Sequence, residues 1–229
     1  MSDLHSINEA INKKAGRKLL PSIVVGLSLI ALVWFTLSYQ REIFAIVVAV
    51  AVILGVRELV RAFSARGIVI SFNGLTLAAI GLSYAAWVGG VAGLAVATAI
   101  AFPLLLIRAL LQGPEGFVAK ATATTFGLLY LPFLAGFLIL LARPSTGFQR
   151  VMTFVVLVGC NDTFGYIVGV LLGKHPLVPK ISPKKTWEGL AGSLIFTMIG
   201  GALAFEYIMD MHWWIGIIVG LMIVFTATC

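Results

Sequence analysis

Along this chain, apolar blocks of the length that crosses a bilayer as a helix alternate with short polar stretches. Eight such blocks can be drawn, at about 19–39, 43–60, 68–88, 90–111, 124–142, 151–173, 188–206 and 213–229. The second is short. It is bounded by Arg41 and Arg57, and its end can slide outward along Arg57-Glu58-Leu59-Val60-Arg61. The third carries Asn73 and Gly74 and has the weakest inner end, and Pro103 in the fourth marks a kink. The pattern predicts an all-α, polytopic integral membrane protein with about eight transmembrane helices. A polar segment at 1–18 precedes a single helical membrane domain at 19–229. No repeat of convincing period and no low-complexity segment interrupts it.

Composition agrees. Of 229 residues 60% are apolar and 11% charged, against roughly 25% charged in soluble domains. The first apolar block follows the polar segment without a small-residue cleavage site, so it reads as an anchor. The net charge of +7 fits loop lysines facing anionic lipid. No basic stretch is interleaved with aromatics, and nucleic acid is not an expected partner. Cys160 and Cys229 lie in apolar blocks and suggest neither a disulfide nor a metal cluster.

The sign pattern sets an orientation. With a cytoplasmic N-terminus and eight spans, 13 basic residues fall inside and only Arg41, Arg143 and Arg150 outside. The loop at about 174–187 is then cytoplasmic, while Trp87, Trp213 and Trp214 lie near the outer surface as interfacial aromatics do.

A few polar groups need an explanation. Asp162 sits in the middle third of the sixth block, beside Asn161 and Thr163. A carboxylate there costs at least ~2.5–3.5 kcal/mol, so it must face a partner, a metal or water. It is either a structural hydrogen-bonding group or a metal or proton site. Tyr166 lies one turn on, on the same face. Gly165, Gly169 and Gly173 follow at spacings of four, a pattern that lets helices approach closely. Glu58 reads as a local ion pair with Arg57 or Arg61.

The loop after Gly173 carries Lys174, His175, Lys180, Lys184 and Lys185 with no acid, among Pro176, Pro179 and Pro183. A positive-inside loop would explain that much. Ser182 followed by Pro183, however, suits a helix cap and first turn. The two adjacent lysines would then stand at a helix start, where free backbone N–H groups and the dipole favour anions. Glu188, one turn beyond Lys184, could pair with it or bind a metal. His175 reads as a solvated loop residue.

The string Asp162-Thr163-Phe164-Gly165-Tyr166, then Gly169, then the run from Gly173-Lys174-His175-Pro176 through Ile181-Ser182-Pro183-Lys184-Lys185-Thr186-Trp187-Glu188-Gly189, resembles the bacterial phosphatidate cytidylyltransferase (CDP-diacylglycerol synthase) family. One small departure is Gly165, where that family often has alanine. The resemblance implies a bacterial inner-membrane enzyme, as a homodimer. It would join CTP and phosphatidic acid into CDP-diacylglycerol and pyrophosphate with Mg2+ or another divalent cation. On the matching positions it implies phosphate binding by Lys180, Lys184 and Lys185, hydroxyl contacts from Ser182 and Thr186, and metal or water at Asp162 and Glu188. Asp162, Lys184 and Lys185 would be the catalytic set. That family continues past its last helix into an aspartate-rich cytoplasmic element. Here no acidic residue follows Asp210 and the chain stops at Cys229. The resemblance therefore implies a truncated chain and leaves open the activity of this length of it. A CTP-dependent polyprenol or lipid kinase is the alternative enzyme, and a membrane transporter the alternative non-enzyme. The Asp-Gly-x-x-Ala-Arg run of CDP-alcohol phosphotransferases is absent from the sequence.

Overall fold

The structure, a computed structural model, describes residues 19–179 and 182–228; for 19–23, Pro183 and Lys184 it describes the backbone alone. The predicted N-terminal segment 1–18, Lys180 and Cys229 lie outside the described residues. In chain order the helices are α1 (Leu19–Tyr39), α2 (Arg41–Ser64), α3 (Phe72–Leu111), α4 (Phe117–Leu128), α5 (Leu134–Ala142), α6 (Gly147–Leu172), α7 (Trp187–Tyr207) and α8 (Trp213–Thr228). One small antiparallel hairpin, β1 (Pro176–Val178) with β2 (Ser182–Thr186), sits between α6 and α7. The expected all-α class is thus corrected to nearly all-α.

Among the described residues, five stretches are long and apolar enough to cross a membrane: Arg41–Ser64, Phe72–Leu111, Phe117–Ala142, Gly147–Leu172 and Trp187–Tyr207. Val24–Tyr39 and Trp213–Thr228 are shorter apolar helices. The protein is therefore polytopic in the membrane, but these helices do not by themselves reproduce the eight-span count. The backbone groups of such segments have no water to pair with in lipid, which is why each apolar block closes into a helix.

The chain divides into two compact units, one of residues 35–148 and one of residues 149–228 with the described part of α1 up to Trp34. In the first unit, α3 is not a straight rod. Gly90 has φ 63° and ψ −145°, outside helical space. A Cβ on Gly93 would run into the Ala85 carbonyl oxygen, one on Gly74 would lie 2.9 Å from Leu105 Cδ2, and Arg108 Nε donates to Ser71 Oγ at 2.7 Å. Residues 72–89 and 91–111 are therefore two arms that fold back on each other at Gly90. The sharp break lies at the boundary between the third and fourth apolar blocks. The chain stays helical through Pro103 and breaks where glycine alone tolerates the dihedrals.

Around that turn, Arg143 Nη2 donates to the Val88 carbonyl at 3.0 Å, and Arg41 Nη1 donates to the carbonyls of Arg143, at 2.9 Å, and Pro144. Ser71 caps the opposite end of α3 by accepting from Gly74 N at 3.1 Å, so the weak N-terminal end near Asn73 is stabilised by a hydroxyl. Between α4 and α5 the helix widens into a π segment, Leu129–Phe133, containing Pro132. Proline has no N–H to give and its ring crowds the preceding turn, so one wider turn absorbs it. Glu58 pairs with Arg61 at 2.8 Å, as expected of neighbours three apart on a helix.

Candidate active site

The second unit brings the loop and the sixth apolar block together through close helix packing. Gly165 and Gly169 of α6 face Gly189 and Ser193 of α7. A Cβ on Gly189 would sit 2.9 Å from the Gly165 carbonyl oxygen and 3.2 Å from Gly169 Cα. Ser193 Oγ donates to the Asn161 carbonyl at 2.7 Å, and Phe164 stacks on Phe196 with ring centroids 4.0 Å apart. The glycine spacing is thus a packing device, as the sequence suggests, and it sets where α7 begins relative to α6. The departure at Gly165 also finds its reason: the Ser193 hydroxyl occupies the space an alanine methyl would fill.

The start of α7 corrects one expectation. Ser182 is not the helix cap and Pro183 is not in its first turn. Ser182–Thr186 is extended and pairs with β1, with Val178 opposite Ser182 and Pro176 opposite Thr186. The cap is Thr186, whose φ −124° and ψ 155° are extended and whose Oγ1 accepts from Gly189 N at 3.1 Å. The physical reason lies in Pro183, which pushes the residue before it toward extended backbone. Lys184 and Lys185 therefore precede the helix on a strand instead of lying in its first turn. Lys185 is exposed, while Ser182 and Thr186 are half-buried. Thr186 uses its oxygen to cap the helix and keeps its O–H proton free to donate.

Glu188 reaches back to the start of the hairpin. One carboxylate oxygen takes His175 Nδ1 at 2.7 Å, and the other takes the His175 backbone N–H at 3.3 Å. Trp187 N donates to the His175 carbonyl at 3.0 Å. Among the described residues the partner of Glu188 is His175, a solvated loop residue as expected, with 76% of its side chain exposed; the side chain of Lys184, the other expected partner, lies outside the described residues. Sequence inspection misses the pair because 13 residues separate the two groups across a hairpin that the apolar pattern does not reveal.

Asp162 is exposed on α6, with Oδ1 accepting from Asn161 Nδ2 at 3.0 Å. Seven residues separate it from Gly169, which packs at the level of Gly189, a rise of roughly 10 Å along the helix. Glu188 turns to His175, so the two carboxylates serve different levels of the α6–α7 pair. Among the described residues no group of three or more His, Cys, Asp or Glu is placed to hold a metal. Magnesium is usually held by one or two carboxylates with substrate phosphates completing its shell. Asp162 fits that role as a single ligand. Glu188 turns both oxygens toward His175, at a different level of the helix pair from Asp162.

Glu206 near the C-terminal end of α7 and Asp210 just beyond it are exposed, and with Met211, His212 and Ile215 they line a cavity of about 370 Å³. Glu206 accepts from Trp213 N at 3.2 Å, capping α8.

Comparison with known proteins bears on all of these residues. A phosphatidate cytidylyltransferase of Mycobacterium leprae is 33% identical over 94% of this chain and 74% of its own length. The Mycobacterium bovis enzyme of that name is 31% identical over 93% of this chain and 74% of its own length. A phosphatidate cytidylyltransferase of Aquifex aeolicus is 39% identical over 37% of this chain and 32% of its own length. The model of the family described as "Cytidylyltransferase family" matches residues 21–229, thus spanning α6, the hairpin and α7 alike. With that span matched and relatives alike over nearly the whole chain, the protein belongs to the cytidylyltransferase family.

Proposed function

We propose that this protein transfers the cytidylyl group of CTP to phosphatidic acid, giving CDP-diacylglycerol and pyrophosphate. The observation that carries this reading is the lysine-bearing strand β2 set against the start of α7, in a chain that matches the family over residues 21–229.

A phosphate oxygen of the lipid attacks the α-phosphorus of CTP. The bond to the bridging oxygen of the β-phosphate breaks, and pyrophosphate leaves with that electron pair. No protein nucleophile is required, so the task is to hold two polyanions together and to receive the charge of the leaving group. Lys185 supplies positive charge next to the α7 N-terminus, whose own N–H groups and dipole also favour phosphate, and Lys180 and Lys184 are assigned to phosphate binding with it. Thr186 donates its hydroxyl proton to a phosphate oxygen while still capping α7, and Ser182 offers a second hydroxyl. Asp162 provides the carboxylate for a divalent cation held jointly with phosphate oxygens. When bound, Mg2+ neutralises developing charge and orients the triphosphate. Glu188 is left out of that set because His175 holds it.

The lipid tails need hydrocarbon and CTP needs water, which requires the site at an interface. The 13-to-3 basic count supports the cytoplasmic face of a bacterial inner membrane, with segment 1–18 and loop 174–187 inside. It also supports eight spans, counting the two arms of α3 separately and including α1 and α8. A homodimer is part of the proposal.

The test is conversion by the purified protein, in mixed micelles, of CTP labelled at the α-phosphorus. Label is expected in the lipid phase with phosphatidic acid and not with a polyprenol, with one pyrophosphate released per lipid formed. CDP release with prenol phosphorylation would instead show a kinase, and no turnover of either kind would overturn the assignment. Lys185→Gln is expected to weaken CTP binding, the more so at low salt, where a partly exposed ion pair is least screened.

A further inference from the structure

We propose that His175 is a positioning residue for the lysine strand, and that Glu188 is its partner and not a ligand of substrate or metal. The inference rests on the cytidylyltransferase reading of the site.

The hairpin that carries Lys184 and Lys185 is very small. β1 has three residues and β2 five, with an irregular register between Pro176 and Val178. An isolated two-stranded hairpin of that size is marginal in water, and β1 opens with a proline that has no N–H for the ladder. Something beyond ladder hydrogen bonds must hold it where it is.

The structure supplies this at the base of the hairpin. The Glu188 carboxylate receives both the His175 ring nitrogen, at 2.7 Å, and the His175 backbone N–H, at 3.3 Å. The Trp187 N–H returns a bond to the His175 carbonyl at 3.0 Å. One residue before β1 is thereby tied at three points to the first turn of α7. That turn is in turn locked to α6 through Gly189, whose Cα side faces Gly165 and Gly169. The chain of contacts runs from the membrane helices through Glu188 to His175 and so to the strand. Neither the imidazole nor the carboxylate needs to touch a phosphate for this to work. Both oxygens of the carboxylate are turned toward His175, on the hairpin side of the helix start.

Releasing the tie lets the hairpin fray while leaving its lysines chemically intact. The consequence is weaker capture of CTP with unchanged chemistry once CTP is bound, a KM effect without a kcat effect.

The experiment uses the full chain in detergent micelles and four variants: His175→Ala, His175→Asn, Glu188→Ala and Glu188→Gln. Asparagine places an amide N–H near the position of Nδ1, and glutamine keeps an acceptor oxygen without charge. Two readouts are taken: the CTP dependence of phosphatidate-dependent turnover, and the rate of trypsin cleavage after Lys184 and Lys185, followed by peptide mass. For the two alanine variants, KM for CTP is expected to rise about fivefold to tenfold, the size of one exposed charge-assisted hydrogen bond. Their kcat should stay within about twofold, and trypsin should cut faster. The asparagine and glutamine variants should lie close to the parent in both readouts.

Three results would overturn the proposal. Glu188→Gln falling as far as Glu188→Ala would mean that the carboxylate charge itself is needed. Loss of kcat in both His175 variants would put the imidazole in the chemistry. Parental cleavage and parental KM in His175→Ala would mean that no tie exists. If the parent makes no CDP-diacylglycerol, the functional reading fails, and the trypsin rates still decide the tie.

Discussion

Replacing Gly165 by alanine tests whether the α6–α7 contact sets the site. The added methyl would overlap the Ser193 hydroxyl, which is held by the Asn161 carbonyl at 2.7 Å. Ser193 must either give up that bond, worth about 1 kcal/mol, or force the helices apart, an overpacking cost of about 2 kcal/mol. Alanine returns about 1 kcal/mol through helix propensity. If both costs are borne, the net loss is about 2 kcal/mol, a fall in Tm of about 4–8 °C for a chain of this size. Gly169→Ala is the internal control. Its methyl would meet Thr186 Oγ1 at 3.4 Å and Gly189 Cα at 3.6 Å, ordinary contact distances, so its Tm should hold or rise slightly. Removing the obstructing hydroxyl should rescue the first variant. Gly165→Ala with Ser193→Ala is expected to recover most of the loss, because the Ser193 Cβ would still be 3.6 Å away. The assay is thermal unfolding in detergent, followed by tryptophan fluorescence or by aggregation. A Gly165→Ala protein as stable as Gly169→Ala, or a double variant no better than the single one, would refute the packing argument.

Gly90→Ala should lower Tm by several degrees, since φ 63° with ψ −145° is closed to a side chain and the methyl would also press on Arg143 Nη1 at 2.7 Å. Thr186→Ala removes the α7 cap and should cost about 1 kcal/mol, with Thr186→Ser recovering most of it in the same unfolding assay. Asp162→Asn should leave a folded, extractable protein that makes no CDP-diacylglycerol in the labelled-CTP assay; parental turnover would reduce Asp162 to a structural role. Cysteine placed at Lys180 should resist an impermeant thiol reagent added outside intact cells, and rapid labelling would invert the orientation.

The helical blocks were legible because an apolar stretch of that length in lipid has one way to satisfy its backbone. The packing role of Gly165 and Gly169 was legible for a similar reason: glycines at a spacing of four on an apolar helix admit few uses. The start of α7 was not. Ser182 and Thr186 are both good caps, and apolar periodicity does not choose between them. The choice falls to Pro183, which extends Ser182, and to the strand pairing of Ser182 with Val178, a contact between residues outside any apolar block. The same hairpin hides the His175–Glu188 pair. The break in α3 had a faint mark, the Gly89-Gly90 pair at the boundary between two apolar blocks, but the proline thirteen residues later was the louder signal. Of the candidate site, composition and position mark the lysines and hydroxyls as candidates, whereas the His175 partner of Glu188 depends on tertiary geometry.

The fold-back at Gly90 bears on how the protein is made. No charged residue lies between Arg66 and Arg108, so the tip joining the two arms offers almost nothing hydrophilic to drag through hydrocarbon during insertion. Such a pair can leave the translocation machinery as one wedge, its arms already in contact, instead of threading one after the other. The Val88 carbonyl near the tip accepts from Arg143, which is 55 residues further along the chain. Synthesis must run well past the wedge before its tip is sealed, and the late-arriving guanidinium acts as the latch on an element already in place.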